Sequence, residues 1–340
     1  MASFIRKDLD ILAKEWEILA FEVRQGKPVF LLVDLLKQLL FLFRYGFQAK
    51  RLVCMFGGYH SFLPALFGNL FGIPSWIMPG GYDCYAFPDI QYGAFNKKVF
   101  GLVVAYSYRW TDLISPVHKS MVNQAYTYYD SGHQNQGFGF FVPGLKTPVL
   151  PINNGYEPDK FYPLHKKRIP NSFLTVARDT SGPTFFRKGI DLVLAVAPHF
   201  PDYVFTIIGK NQNQEIALPA NVQFLPPVPY KELIEIYNQH EFYLQLSVAE
   251  GFPNALSEAM LCGCIPIGSN VFGIPDLIDE TGLLLMNRDV DQLKALLQKA
   301  SGLNREEMSE KATDRVSRHF LLSQRESQML TALKNLSKKP

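Results

Sequence analysis

At 340 residues the chain is long enough for two domains of ordinary size, each with its own core. A hydrophobic content of 47% against 19% charged excludes a disordered chain, and a net charge of +3 makes no case for nucleic acid. Residues 1–150 carry 14 Lys and Arg against 10 Asp and Glu, whereas residues 151–340 carry 20 against 21, so the first half is mildly basic and suits an anionic membrane surface or a phosphorylated acceptor.

The opening residues are charged throughout and do not match a signal peptide. Asp8–Glu15 reads as an amphipathic helix, so the metal-like spacing of Asp8-Leu-Asp10 is set aside. Glu17–Val23 reads as a strand and Pro28–Tyr45 as a helix. Asp34, Lys37, Gln38 and Arg44 interrupt that helix, which therefore does not span a membrane. At 100° per residue those four fall within an arc of about 120°, leaving a wide apolar face. Two readings of that face stay open, a helix packed between sheet and neighbours or a monotopic membrane contact. Arg51–Phe56 reads as a strand ending in the loop Gly57-Gly-Tyr-His-Ser61, and Pro74–Met78 as another ending in Pro79-Gly-Gly-Tyr-Asp83. His60 and Asp83 are the polar candidates in these loops. Thr111–Ser115 and Val149–Ile152 add strands, and His118 follows the first of them as a weaker candidate. The cluster Pro151-Ile-Asn-Asn-Gly-Tyr-Glu-Pro158 reads as a hinge continued by Lys166-Lys-Arg168.

Beyond the hinge, strand-like and helical segments alternate, the pattern of parallel βαβ units. The strands are Thr175–Val176, Tyr203–Ile208, Val222–Leu225, Phe242–Leu246 and Ile265–Gly268. The helices are Ile190–Ala197, Lys231–Asn238, Asn254–Cys262 and Val290–Lys299. Such sheets bind ligands at the carboxyl ends of their strands, and Arg178, Gly209 and Glu250 each stand just after one. The segment Ser247-Val-Ala-Glu-Gly-Phe-Pro-Asn-Ala-Leu-Ser-Glu258 places Glu250 before a helix and Glu258 within it, eight positions on. Carboxylates accept hydrogen bonds from sugar hydroxyls, and the first backbone N–H groups of the helix, at Asn254 and Ala255, suit a phosphate. Together they point to a nucleotide-sugar.

This segment resembles the E-x7-E signature of retaining glycosyltransferase family 4, the group 1 glycosyl transferases. The resemblance extends through Phe173-Leu-Thr-Val-Ala-Arg178, Arg187-Lys-Gly189, Val204-Phe-Thr-Ile-Ile-Gly209, Val222-Gln-Phe-Leu-Pro226, Gly273-Ile-Pro-Asp-Leu-Ile278 and Thr281-Gly-Leu-Leu-Leu285. It implies an α/β chain of the GT-B fold, with two Rossmann-like domains whose parallel sheets face a central cleft. The expected division is an acceptor-side domain over residues 1–152, a donor domain over 153–320, and a terminal helix in 321–340 packing back on the first domain. By the resemblance Glu258 holds the ribose and Glu250 the donor sugar, while Arg178 and Lys188 (or its neighbour Arg187) neutralise the diphosphate. Gly209, Asn254 and Ala255 would line the donor site. Asp83 and His60 are the catalytic candidates of the first domain, alongside Glu250. The sequence departs from the family in two places. Residues 1–8 already resemble the loop-to-helix part, without the usual opening strand and Gly-rich loop, and Gly80-Gly-Tyr-Asp83 stands where the family has a threonine-histidine pair.

The implied function is metal-independent transfer of a sugar, with retention, from a nucleotide-diphosphate donor to a hydroxyl acceptor. The expected acceptor is a surface glycan, a lipid-linked saccharide or a small molecule. The donor is a substrate, and no cofactor is expected. The alternatives are a non-catalytic or partner-dependent nucleotide-sugar-binding protein, and a related synthase, phosphorylase or epimerase. Cys54, Cys84, Cys262 and Cys264 match no disulfide or zinc framework and are expected to be buried, reduced thiols, consistent with a cytoplasmic protein, free or peripheral at the inner face of a membrane.

Overall fold

Hydrophobic runs rich in Val, Ile and Phe after residue 168 are too short for helices and too apolar to face water, and they become the strands of one parallel sheet. The computed structural model describes residues 3–23, 28–180, 182–210 and 217–339. Its contacts divide the chain into two units. The first is Met1–Ala125 with Asn135–Asn153 and Ser323–Pro340, and the second is Tyr126–Gln134 with Asn154–Leu322.

The first unit runs α1 (Ser3–Ala13), α2 (Pro28–Tyr45), β1 (Leu52–Met55), α3 (Tyr59–Phe71), β2 (Ser75–Met78), α4 (Lys98–Trp110) and β3 (Leu113–Ile114). The short pair β4 (Gln124–Ala125) and β5 (Asn135–Gln136) and the single turn α5 (Phe138–Phe141) follow. Strands β1, β2 and β3 are parallel neighbours in that order, with α3 and α4 as the crossovers. Val149 adds a single bridge to Ile114, where a full strand over Val149–Ile152 was expected. Residues 17–23 form no strand: the described sheet gives them no partner, and Leu19 is exposed. Helices α3 and α4 lie outside the sequence expectations. Gly58, Pro64 and Gly68 mask the helical period of the first, and β-branched and aromatic residues around Gly101 mask that of the second.

Asp8 serves as a structural anchor. Arg325 donates to both of its oxygens from Nε at 2.8 Å and Nη2 at 2.7 Å, and its Nη1 donates to the carbonyls of Ile152 and Asn153. Arg325 belongs to α13 (Leu322–Asn335), whose Met329, Ala332 and Leu333 are buried. A planar five-donor fork suits a buried bidentate pair of this kind.

The second unit runs β6 (Ile169–Asp179), α6 (Pro183–Arg187), α7 (Ile190–Val196), β7 (Val204–Lys210), β8 (Val222–Leu225), α8 (Tyr230–Gln239) and β9 (His240–Gln245). It continues with α9 (Asn254–Leu261), β10 (Ile265–Ser269), α10 (Ile274–Ile278), β11 (Leu283–Leu285), α11 (Val290–Ser301) and α12 (Arg305–His319). The strand order β11-β10-β9-β6-β7-β8 is parallel throughout. The first strand therefore lies mid-sheet, and the order reverses between β6 and β9. In a doubly wound sheet ligands bind at the carboxyl ends of the strands flanking such a reversal. Phe173 stacks between Phe205 and Phe242 on the neighbouring strands, with centroids 5.2 and 4.9 Å away, which packs the sheet centre beneath that point. The basic stretch before β6 ends in a clamp. Arg168 donates to the carbonyls of Tyr237, His240 and Cys262 and so fixes the Cys262-Gly-Cys264 turn.

Candidate active site

Two loops of the second unit meet at the end of β9. Gly189, after α6, has a φ of +71°, and a Cβ there would lie 2.4 Å from the carbonyl oxygen of Leu246. Only glycine allows that approach. Val248 N–H then donates to Arg187 O at 2.8 Å, locking the α6–α7 corner onto the loop. As a result Lys188 Nζ donates to Glu250 Oε1, Ser247 Oγ donates to the same oxygen at 3.2 Å, and Arg187 Nη1 lies 3.7 Å from it. The Glu250 side chain is 17% exposed, so these charges are partly shielded and still reachable from solvent. Burial alone would raise its carboxyl, but Lys188, Arg187 and the Ser247 hydroxyl outweigh it and hold the group below the ordinary carboxylate value. Two cations against one carboxylate leave a net positive charge beside the switch point, which favours an anion.

Four residues beyond Glu250, α9 begins at Asn254 after Pro253, which makes no side-chain cap. The first N–H groups of a helix have no intrahelical acceptor, so those of Asn254 and Ala255 add positive potential. Asn254 is oriented from the hinge: its Oδ1 accepts from Asn154 Nδ2 at 3.1 Å and from Tyr156 OH at 3.0 Å. Asn154 also donates to Phe252 O. Glu258 is half-buried on α9 and accepts from Tyr237 OH at 3.3 Å. From the 126–134 segment, Tyr126 OH donates to Val248 O at 2.9 Å.

The structure thus brings Lys188 and Glu250 into contact and sets Asn254, Ala255 and Glu258 on the helix that follows. Arg178 is the penultimate residue of β6, on the strand beside β9, and its side chain lies outside the described residues. Gly209 is buried near the end of β7, where a Cβ would lie 2.3 Å from Ala177 O and 2.9 Å from the Thr180 methyl. Its lack of a side chain lets β6 and β7 close together. Ser247, Tyr237, Asn154, Tyr156 and Tyr126 were not singled out in the sequence. Only Ser247 carried a local signal, standing three residues before a glutamate in a turn.

The first-unit candidates behave differently. Asp83 is 2% exposed and both its oxygens are occupied. Oδ2 accepts from Gly57 N at 2.6 Å and Tyr108 OH at 3.0 Å, and Oδ1 from Gly80 N at 3.0 Å and Gly81 N at 2.9 Å. A carboxylate offers about four lone-pair sites, and here all four are used. Asp83 ties the loops after β1 and β2 together and has no free lone pair with which to act as a base. His60 occupies the first turn of α3. Its Nε2 lies 2.8 Å from Met55 O, and because a carbonyl only accepts, Nε2 carries a hydrogen there. His118 is buried, with Nδ1 2.7 Å from Ser120 Oγ and accepting from Ser120 N–H, a local cap. Among the described residues no group of three or more His, Cys, Asp or Glu could hold a metal ion.

Residues 173–315 match the family model described as glycosyl transferases group 1. Sucrose-phosphate synthase from Thermosynechococcus elongatus superposes with a TM-score of 0.72 at 14% identity, covering 94% of this chain and 82% of that one. The fold is GT-B. Anabaena HepE in complex with UDP-glucose superposes with a TM-score of 0.66 at 14% identity, over 93% of this chain and 86% of that one. Among curated sequences, one of the subunits of human phosphatidylinositol N-acetylglucosaminyltransferase is 28% identical over 164 residues, 45% of this chain and 33% of that protein. A D-inositol 3-phosphate glycosyltransferase from Mycobacterium is 27% identical over 118 residues, 30% of this chain and 27% of that protein. The matched region spans about a third or less of these relatives' length. The family match contains Arg187, Lys188, Glu250 and all of α9, so it falls on the unit that holds the cation–carboxylate pair.

Proposed function

We propose that this chain transfers a sugar from a nucleotide-diphosphate donor to a hydroxyl acceptor, with retention, as a member of glycosyltransferase family 4. The observation that carries this reading is the Lys188–Glu250 pair at the β6/β9 reversal, followed by an uncapped helix with Glu258 on it. In this reading the diphosphate lies against Lys188, Arg187 and the start of α9, and the two cations offset the negative charge that grows on the leaving group. Glu258, steadied by Tyr237, accepts from the ribose hydroxyls. Glu250, kept ionised by its neighbours, accepts from the donor sugar's hydroxyls and orients the anomeric carbon. Retention would follow from acceptor attack on the face the diphosphate leaves, without a carboxylate nucleophile and without a metal. The nucleotide is uridine diphosphate, as in the HepE complex. The acceptor is an inositol-bearing lipid or another lipid-linked saccharide, the class that the names of the phosphatidylinositol relatives carry.

A second reading, a nucleotide-sugar-binding subunit that needs a partner for transfer, is favoured by the saturation of Asp83 and by relatives that are themselves named as subunits.

Calorimetric titration with UDP, GDP, ADP and CMP tests the donor site. Micromolar binding of UDP alone is expected, weakened about tenfold or more in Glu258→Ala and in Lys188→Met. No binding of any nucleotide by folded protein would remove the donor-site reading. Binding without transfer to any inositol or polyprenyl lipid would select the partner-dependent reading.

A further inference from the structure

Helix α2 is apolar on both sides: Leu42 is buried along with two polar residues, and a second leucine stripe faces outward. Its buried positions include Asp34 (3% exposed) and Gln38 (5%), whereas Leu32, Leu36, Leu40 and Phe43 are 64%, 56%, 70% and 53% exposed. A helix on a water-facing surface keeps its outer face charged and polar. The polar residues are held inward: Gln38 Nε2 donates to His60 O at 2.8 Å. The outward residues recur at i, i+4, i+8 and i+11, a continuous ladder along one face. The ladder continues into Phe47 and Phe71, whose rings lie 6.2 and 6.3 Å from Phe43 and 4.9 Å from each other. A contiguous apolar surface of this kind marks a site that another apolar phase covers.

The charges around the ladder identify that phase. Placed at 100° per residue, Lys37 and Arg44 stand on the same edge of the exposed stripe. Both are exposed, as is Lys50. Helices α3 and α4 contain no Asp or Glu, and in α2 the acid is the buried Asp34. On α4, exposed Val99, Leu102 and Tyr106 follow exposed Lys97 and Lys98. An aliphatic stripe edged by cations matches a bilayer with anionic headgroups. The stripe enters the acyl boundary while the long cationic side chains reach back to the phosphates. At 1.5 Å per residue α2 is about 27 Å long, and no described helix is long and apolar enough to cross a membrane. It would therefore lie in the plane of the interface.

We propose that the exposed face of α2, extended by Phe47, Leu70 and Phe71, docks the first unit onto an anionic lipid surface. This assignment is independent of the chemistry proposed for the second unit. Flotation of the full chain with phosphatidylcholine vesicles, and with phosphatidylcholine–phosphatidylserine vesicles at low and high salt, tests it. Binding is expected to the anionic vesicles and to weaken with salt. It should fall about tenfold or more in the L36D/L40D double variant and about fivefold in each of Lys37→Ala and Arg44→Ala. All four positions are exposed, so circular dichroism and melting should match wild type. In the L40W variant, vesicles with brominated acyl chains should quench the added indole. The proposal is overturned if wild type floats with neither vesicle, if L36D/L40D floats as well as wild type, or if the added indole is not quenched. It is equally overturned, in favour of a protein-docking face, if wild type self-associates without lipid, L36D/L40D makes it monomeric, and neither floats.

Discussion

Each unit places a carboxylate just beyond the end of a parallel strand, and the two are put to opposite uses. Asp83, in the loop after β2, is buried and its four acceptor sites are filled by three backbone N–H groups and a tyrosine hydroxyl. Glu250, in the loop after β9, is part-exposed and faces two cations and a hydroxyl. The first unit rests on three short strands, so its Gly-rich loops need an internal acceptor to define their shape. The second has six strands and a stacked Phe173–Phe205–Phe242 centre, and its loops are held by Gly189 and by backbone bonding. With the scaffold carrying the shape, the carboxylate there stays part-exposed beside its two cations. A strand-end acid is therefore a candidate only when its lone pairs are not already taken by the loop that holds it.

The largest effect should come from removing the structural carboxylate. Asp83→Ala leaves three backbone donors without their acceptor at a buried site and leaves the Tyr108 hydroxyl only the residue-83 carbonyl, 3.2 Å away, and should cost about 3–5 kcal/mol. Urea unfolding should show the loss, with UDP affinity at the second unit retained below the transition. A loss under about 1 kcal/mol would mean that the loops hold without Asp83, and the contrast between the two acids would fail.

Much of the second unit could be read from the sequence and much of the first could not. In the second, apolar runs bounded by turn residues have one interpretation at each position, and Glu250 and Glu258 stand out because their surroundings are apolar or small. In the first, the informative groups act across long sequence distances. Asp83 reaches Gly57 and Tyr108, and Arg325 reaches Asp8, contacts that no local pattern encodes. The same holds for α2. Its period reveals a wide apolar face but not which way that face points, since direction is set by what packs on Asp34 and Gln38. Within the site, the hinge contacts of Asn154 and Tyr156 to Asn254 span about a hundred residues and were equally hidden.

A smaller effect on stability but a clear one on turnover is expected at the other acid. Glu250→Gln keeps the shape and removes the charge, and should lower transfer about a hundredfold or more, or about 2.7 kcal/mol. Unfolding stability at neutral pH should change by about 1 kcal/mol or less, as for a partly exposed pair. The folded carboxyl is held below its ordinary value, so the stability that the pair contributes is complete above the ordinary carboxylate range. It is lost as pH falls through the lowered folded value. The wild-type and E250Q stability curves should accordingly be separated at neutral pH and meet in acid. Curves that stay parallel into acid would show that the pair's charge contributes nothing to folding.

The smallest signal is one that should be absent until each unit opens. Cys54 and Cys84 lie in the first unit, Cys262 and Cys264 in the second, and all four are free and buried. Burial pushes the Cys54 thiol up to about 12 and the Cys264 thiol up to about 11. Cys84 is raised by burial and then by the neighbouring Asp83 charge, and Cys262 chiefly by burial. Alkylation proceeds through the thiolate, so none should react appreciably in the folded protein at neutral pH. In rising urea, pulse alkylation read by peptide mass should label Cys54 and Cys84 before Cys262 and Cys264, because three short strands hold less buried surface than six. The order should sharpen in Asp83→Ala, which loosens the loops that follow β1 and β2, next to Cys54 and Cys84. Simultaneous labelling of all four would mean that the units unfold as one, and the loop-fixing carboxylate would then serve the whole chain.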